Sequence, residues 1–105
     1  MFTQALLKLP AASVVDGITT ANLGKPDHAL ALKQHDLYRR ALEDCEVSVT
    51  LLEADDSYPD SVFIEDTAVV TDHFAIITRP GAESRRGETG AVQQKLAELF
   101  GEVHT

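Results

Sequence analysis

Short apolar runs of strand length alternate with two stretches of helical periodicity, and this alternation constrains the fold more than any single motif. Phe2 to Leu9 reads as a short strand ended by Pro10, and a polar segment rich in Ser, Thr and Gly follows from Ala11 to Lys25. Pro26 and Asp27 then start a helix, with Pro in the first turn where its missing N–H costs nothing. Leu30, Leu37, Tyr38, Ala41, Leu42 and Cys45 fall at helical spacing and predict one buried stripe. Val47, Val49 and Leu51 alternate with polar neighbours as a strand does. A turn-rich loop from Glu53 to Asp60 follows. Val62 to Val70 and Phe74 to Thr78 are then expected as two strands joined around Thr71-Asp72-His73, with Pro80-Gly81 ending the second. A second helix is expected from Thr89 to Phe100, with Val92, Leu96, Leu99 and Phe100 on one face and Gly101 as its C-cap. Glu102 to Thr105 resumes a strand-like pattern. The order β-α-β-β-β-α-β defines an α/β or α+β unit.

At 105 residues the chain has room for one core, so residues 1–105 are expected to form a single domain. A strand that begins at Glu102 and stops at Thr105 predicts a chain truncated at its C-terminus. With 9 Lys+Arg against 17 Asp+Glu the formal net charge is −8, which argues against a nucleic-acid or anionic-membrane partner. No apolar run approaches the roughly 20 residues that span a bilayer. Met1 to Pro10 lacks the basic start of a signal peptide. The single cysteine excludes an intramolecular disulfide, and a reducing cytoplasm is the expected location.

Charge is distributed unevenly. Between Ala41 and Thr78 there are ten acids and no Lys or Arg, and Arg79, Arg85 and Arg86 follow within eight residues. Such a run is ordinarily a solvated acidic face beside a basic loop. On strict strand alternation, however, Val62, Ile64, Asp66, Ala68 and Val70 share one face on which Asp66 is the only charge. A lone buried carboxylate is costly unless a cation or hydrogen-bond donors meet it, so Asp66 is expected against an arginine of the chain or a cationic ligand. Glu65 points to the opposite face on the same count. Asp60, in the loop before, is either a turn residue or a ligand contact. Arg85 and Arg86 suit a carboxylate, which guanidinium grips in a bidentate fork, or pair with Glu83 or Glu88. Together these groups fit a ligand that is cationic at one end and a carboxylate at the other, as a free amino acid with a basic side chain is.

Other residues point away from metal or nucleotide chemistry. Cys45 closes the helical stripe and is expected to be a small core residue. His28 and His35 stand seven apart without an Asp or Cys at ligand spacing. Asp55 to Asp66 lacks the central Gly and periodic oxygens of a calcium loop, and no dinucleotide, P-loop or nucleophile-elbow motif is present.

Tyr58-Pro59-Asp60-Ser61-Val62-Phe63-Ile64-Glu65-Asp66-Thr67 and the run from Ala75 to Glu88, with Arg79-Pro80-Gly81-Ala82-Glu83-Ser84-Arg85-Arg86-Gly87-Glu88, resemble the matching segments of dimethylarginine dimethylaminohydrolases. Val15-Asp16-Gly17-Ile18 and Leu23-Gly24-Lys25-Pro26-Asp27 look like that family's first loop. The resemblance implies the pentein fold, an α/β propeller of ββαβ-type units, of which this chain would hold the first one to two. It implies hydrolysis of asymmetric dimethylarginine or monomethylarginine to citrulline and an alkylamine, by a cysteine thiolate and a histidine, with no metal or organic cofactor. It implies substrate contacts from Asp60, Glu65 and Asp66, with Asp66 among the groups holding the guanidinium. Arg85 would bind the α-carboxylate, and the backbone oxygen of Ile18 the α-amino group. The family's catalytic Cys and His lie downstream of Thr105, so no residue here is expected to be catalytic, and Cys45 matches a non-catalytic position. An open propeller would leave sheet edges unpaired, which predicts self-association or pairing with the missing portion. Two other classes remain open: a non-catalytic module binding an arginine-like small molecule, and a non-functional truncated product.

Overall fold

The computed structural model describes residues 2–18 and 24–105. Part of the polar segment, 19–23, and with it Leu23 of the first-loop motif, lies outside the described residues. The elements follow the expected order: β1 (Gln4–Lys8), α1 (His28–Asp44), β2 (Ser48–Leu52), β3 (Ala68–Val70), β4 (Ala75–Ile77), α2 (Thr89–Leu99) and β5 (Val103–His104). Short 3₁₀ turns occupy Ala12–Asp16, Ile64–Asp66 and Glu83–Glu88. The chain divides into two compact units, Met1–Val62 and Phe63–Thr105. No described helix is long and apolar enough to cross a membrane.

In the first unit β1 and β2 pair in parallel, Gln4 opposite Ser48 through Lys8 opposite Leu52. Parallel neighbours need a crossover, and α1 supplies it. Its N-cap is Asp27, whose carboxylate accepts the Leu30 N–H at 3.2 Å, so Pro26 precedes the cap instead of occupying the first turn. The helix ends in a Schellman arrangement: Val47 N–H reaches Leu42 O at 3.1 Å and Glu46 N–H reaches Glu43 O at 3.0 Å. Glu46 takes the left-handed conformation this requires, with φ +66°. A side chain there is strained, so Glu46→Gly is expected to raise stability by about 1 kcal/mol, read as a higher denaturation midpoint.

The expected stripe on α1 is not buried. Leu30, Leu37, Tyr38, Ala41 and Cys45 are exposed, and only Leu42 of that set is half-buried. The half-buried positions instead include His28, Ala31, His35, Arg39 and Leu42, a repeat of three and four that marks a different face. The inward face is therefore of mixed polarity, and the apolar one looks outward. Cys45 is an exposed cap residue, not a core one.

Burial holds the His35 imidazole below its ordinary 6.5, outweighing the Asp36 carboxylate, which pulls it up. The unfolded chain takes that proton more readily than the folded one. Stability from this source is complete above pH 6.5 and declines as pH falls below it. The melting temperature is expected to fall as pH drops below about 6.5, and His35→Gln to shrink that fall. An equal drop in the variant would place the effect elsewhere.

In the second unit β3 and β4 form the expected hairpin, Ala68 opposite Ile77, and β5 joins β4 in parallel, Ala75 opposite Val103. The Thr71 hydroxyl closes the turn, accepting the Phe74 N–H at 3.1 Å and donating to Phe74 O at 3.0 Å. Ala75, Ile77, Val92 and Leu96 form the core, as the spacing of α2 predicts, but Leu99 is exposed. The C-cap of α2 is Phe100, whose N–H donates to Leu96 O, one residue before the expected Gly101.

The strand expected over Val62–Val70 forms only at its end. Thr67 gives both its N–H (2.9 Å) and its hydroxyl (2.6 Å) to Ile64 O, closing a 3₁₀ turn where an extended strand was expected. With three residues per turn, Ile64 and Asp66 no longer share a face. Asp66 is consequently not a lone buried carboxylate.

Candidate functional site

The predicted site residues fall into two clusters, one in each unit. In the first, Asp60 is buried at the end of the Glu53–Asp60 loop, and its Oδ2 accepts the Ile18 N–H at 2.9 Å. The same carboxylate rests on Gly17: a Cβ there would stand 2.5 Å from Asp60 Oδ1 and 3.2 Å from Val14 O. Gly17 has φ −63°, which any residue adopts, so its requirement is space rather than backbone freedom. Asp60 thus fixes the peptide joining Gly17 to Ile18, while Ile18 itself is 61% exposed. Gly17→Ala is expected to cost about 1–3 kcal/mol. Asp60→Ala in the same chain should remove most of that penalty, and a double-mutant cycle of unfolding free energies checks the coupling.

In the second cluster the guanidinium of Arg85 bonds to Asp66, Phe63 and Glu88. Its Nη1 donates to Asp66 Oδ2 at 2.7 Å, and Nη2 donates to Phe63 O at 2.8 Å and to Glu88 Oε1 at 2.8 Å. Nε donates to both Glu88 oxygens, at 3.2 and 3.0 Å. Hydrogen bonding to Glu88 first, and to Asp66 after it, holds Arg85 above its ordinary range. The Arg85 side chain is 12% exposed, Glu88 2% and Asp66 57%. Arg86 turns the other way, its Nε donating to Pro80 O at 2.9 Å, and so braces the loop that carries Arg85. Asp66 is held from behind as well, its backbone oxygen accepting the Thr78 hydroxyl at 2.5 Å.

The structure therefore brings Asp66 to Arg85 and Ile18 to Asp60. Glu65 is exposed and bonds to neither. Asp66 pairs with an arginine of the chain, one of the two partners expected for it. Of the two acids expected as partners for the arginines, Glu88 is the one that holds Arg85. Its signal was position: three residues after Arg85, on the same turn, at the start of α2. Among the described residues no group of three His, Cys, Asp or Glu side chains could hold a metal ion.

Solved structures that share little sequence establish the class. The product-bound N-terminal domain of ArgZ, a cyanobacterial arginine dihydrolase, superposes with a TM-score of 0.84 at 20% identity, covering 100% of this chain and 40% of that one. The fold is α/β and pentein-like. Residues 19–105 match the family described as "N,N dimethylarginine dimethylhydrolase, eukaryotic", and the chain belongs to the dimethylarginine dimethylaminohydrolase family. It is 52% identical over 100 residues to the N(G),N(G)-dimethylarginine dimethylaminohydrolase of Pseudomonas aeruginosa, covering 95% of this chain and 39% of that protein. Identity to the Streptomyces coelicolor protein of the same name is 43% over 97 residues, 91% of this chain and 38% of that one. A mutant of the P. aeruginosa enzyme solved in complex with citrulline gives a TM-score of 0.96 at 51% identity, over 99% of this chain and 41% of that one. The chain thus spans about two-fifths of the length of the relatives it matches.

Proposed function

We propose that this chain carries substrate-binding residues for the hydrolysis of Nω,Nω-dimethyl-L-arginine, and of the monomethyl form, to L-citrulline and an alkylamine. The observation that carries the reading is the 52% identity, over 95% of the chain, to a curated enzyme of that name. The contacts are assigned to the Ile18 carbonyl and to Asp60, Glu65, Asp66 and Arg85. The geometry supports this in a specific way. Both members of the Asp66–Arg85 pair have counterparts on one arginine-like ligand, a guanidinium for the acid and a carboxylate for the arginine. Binding then replaces the Asp66–Arg85 ion pair by two. On the Ile18 side, Asp60 holds the Ile18 N–H and so anchors the residue whose carbonyl is assigned to the amino group.

The nucleophile and the acid–base group are assigned outside these residues. Cys45 is an exposed cap residue of α1, and thiolate attack needs a base or acid placed beside it. The chain is accordingly expected to pair with the remaining units or with itself through its sheet edges. Calorimetric titration with L-citrulline and dimethylarginine, alongside a citrulline-release assay, tests the reading. Binding without turnover is expected from this chain, and turnover once the rest of a close relative is supplied. Citrulline released by the chain alone, and lost in Cys45→Ala, would overturn the assignment of the chemistry; ligand binding that never gains turnover favours a non-catalytic module.

A further inference from the structure

Asp66 and Glu88 differ in how readily they let go of Arg85. The Asp66 carboxylate is more than half exposed, so water competes for it and leaving the pair costs it little. The Glu88 carboxylate is 2% exposed, and without the guanidinium it would be a buried charge with no cation. Glu88 also grips a different edge. It takes Nε on both oxygens and one Nη2 hydrogen, whereas Asp66 takes Nη1. The Phe63 carbonyl takes Nη2 as well and completes the clamp.

We propose that Glu88 is a positioning residue: it holds Arg85 by its Nε edge, so that the Nη1 end can exchange Asp66 for the carboxylate of an amino-acid ligand. The ligand's identity rests on the function proposed above; the clamp itself does not. Because Glu88 and Asp66 together carry two negative charges against one on Arg85, the cluster keeps a net negative charge that suits a cationic ligand. If Asp66 were the sole anionic partner, a carboxylate entering at Arg85 would have to take the guanidinium from the one group orienting it.

Nitrogen-15 NMR of the arginine side chains and ligand titration test this on the 105-residue chain. In the wild type the Arg85 Nε–H is expected to exchange slowly with solvent, assigned by its absence from Arg85→Lys. Glu88→Gln should lose that protection and bind L-citrulline about tenfold or more weakly, with unchanged affinity for propylurea, which has no carboxylate. Glu88→Asp, which keeps the charge on a shorter side chain, should fall between them, and it decides the matter if Glu88→Gln does not fold. A role confined to stability would not move the ratio of the two affinities. Retained Nε–H protection and an unchanged ratio in the Glu88 variants overturn the positioning role. A wild-type chain with a protected Nε–H and no preference for citrulline over propylurea overturns the functional reading, and the ligand half of this proposal with it.

Discussion

Replacing Arg85 by Ala is expected to destabilise the chain by about 3–5 kcal/mol, a large part of what holds a domain of this size together. The loss comes from Glu88 more than from the broken bonds themselves. Asp66 can turn to water, but the Glu88 carboxylate is left buried beside the core residues at the start of α2. The Phe63 carbonyl, which ends the segment leading into the Ile64–Asp66 turn, loses its donor in the same step. One result follows from that cause. Arg85→Met combined with Glu88→Gln should recover much of the loss, since a pair removed together leaves no charge uncompensated. Urea midpoints of the wild type and the two variants check it. A loss below about 1 kcal/mol in Arg85→Ala would mean that Glu88 is matched by another group.

What the sequence made legible follows from which periodicities compete with local hydrogen bonding. The order of strands and helices was readable because each element is short and sits between strong turn residues, as β4 does between Thr71-Asp72-His73 and Pro80-Gly81. The Val62–Val70 segment misled because alternation reports side-chain pattern and says nothing of a Thr67 hydroxyl that closes a turn on Ile64. The α1 stripe misled differently. Apolar spacing there is real, yet the face packed inward includes His28, His35 and Arg39, and the Leu30–Tyr38 face is uncovered. The site residues were named through family resemblance, and alternation had placed Asp66 on a buried face. Their pairing was readable only in part. Glu88 stands three residues after Arg85, where local spacing makes it a candidate partner, whereas Asp60 under the Gly17–Ile18 peptide has no sequence signature, because a partner 42 residues away is set by the fold and not by spacing.

Asp66 and Arg85 should fail in different ways once the chain is completed with the remainder of the P. aeruginosa relative and assayed under the function proposed above. Asp66 is assigned to the guanidinium whose carbon is attacked, where charge and geometry change during reaction. Asp66→Asn should therefore lower kcat as well as raise KM. Arg85 is assigned to the carboxylate, remote from the reacting carbon, and its effect belongs to binding. Arg85→Ala would confound the measurement, because its folding defect removes active protein. Arg85→Lys avoids this: an ammonium still neutralises Glu88, but it offers a point charge in place of the planar fork that reaches Glu88, Asp66 and Phe63 together. The informative quantity is the ratio of kcat/KM for dimethylarginine to that for an alkylguanidine lacking the carboxylate. Loss of folded protein cancels from it. Arg85→Lys should reduce that ratio by about tenfold to a hundredfold, the worth of one charge-assisted contact of 1.5–3 kcal/mol. Asp66→Asn should leave it nearly unchanged, since both substrates present the same guanidinium to Asp66. If Arg85→Lys leaves the ratio intact, the arginine is a structural clamp between Glu88 and the Ile64–Asp66 turn, and the carboxylate of the substrate is held elsewhere.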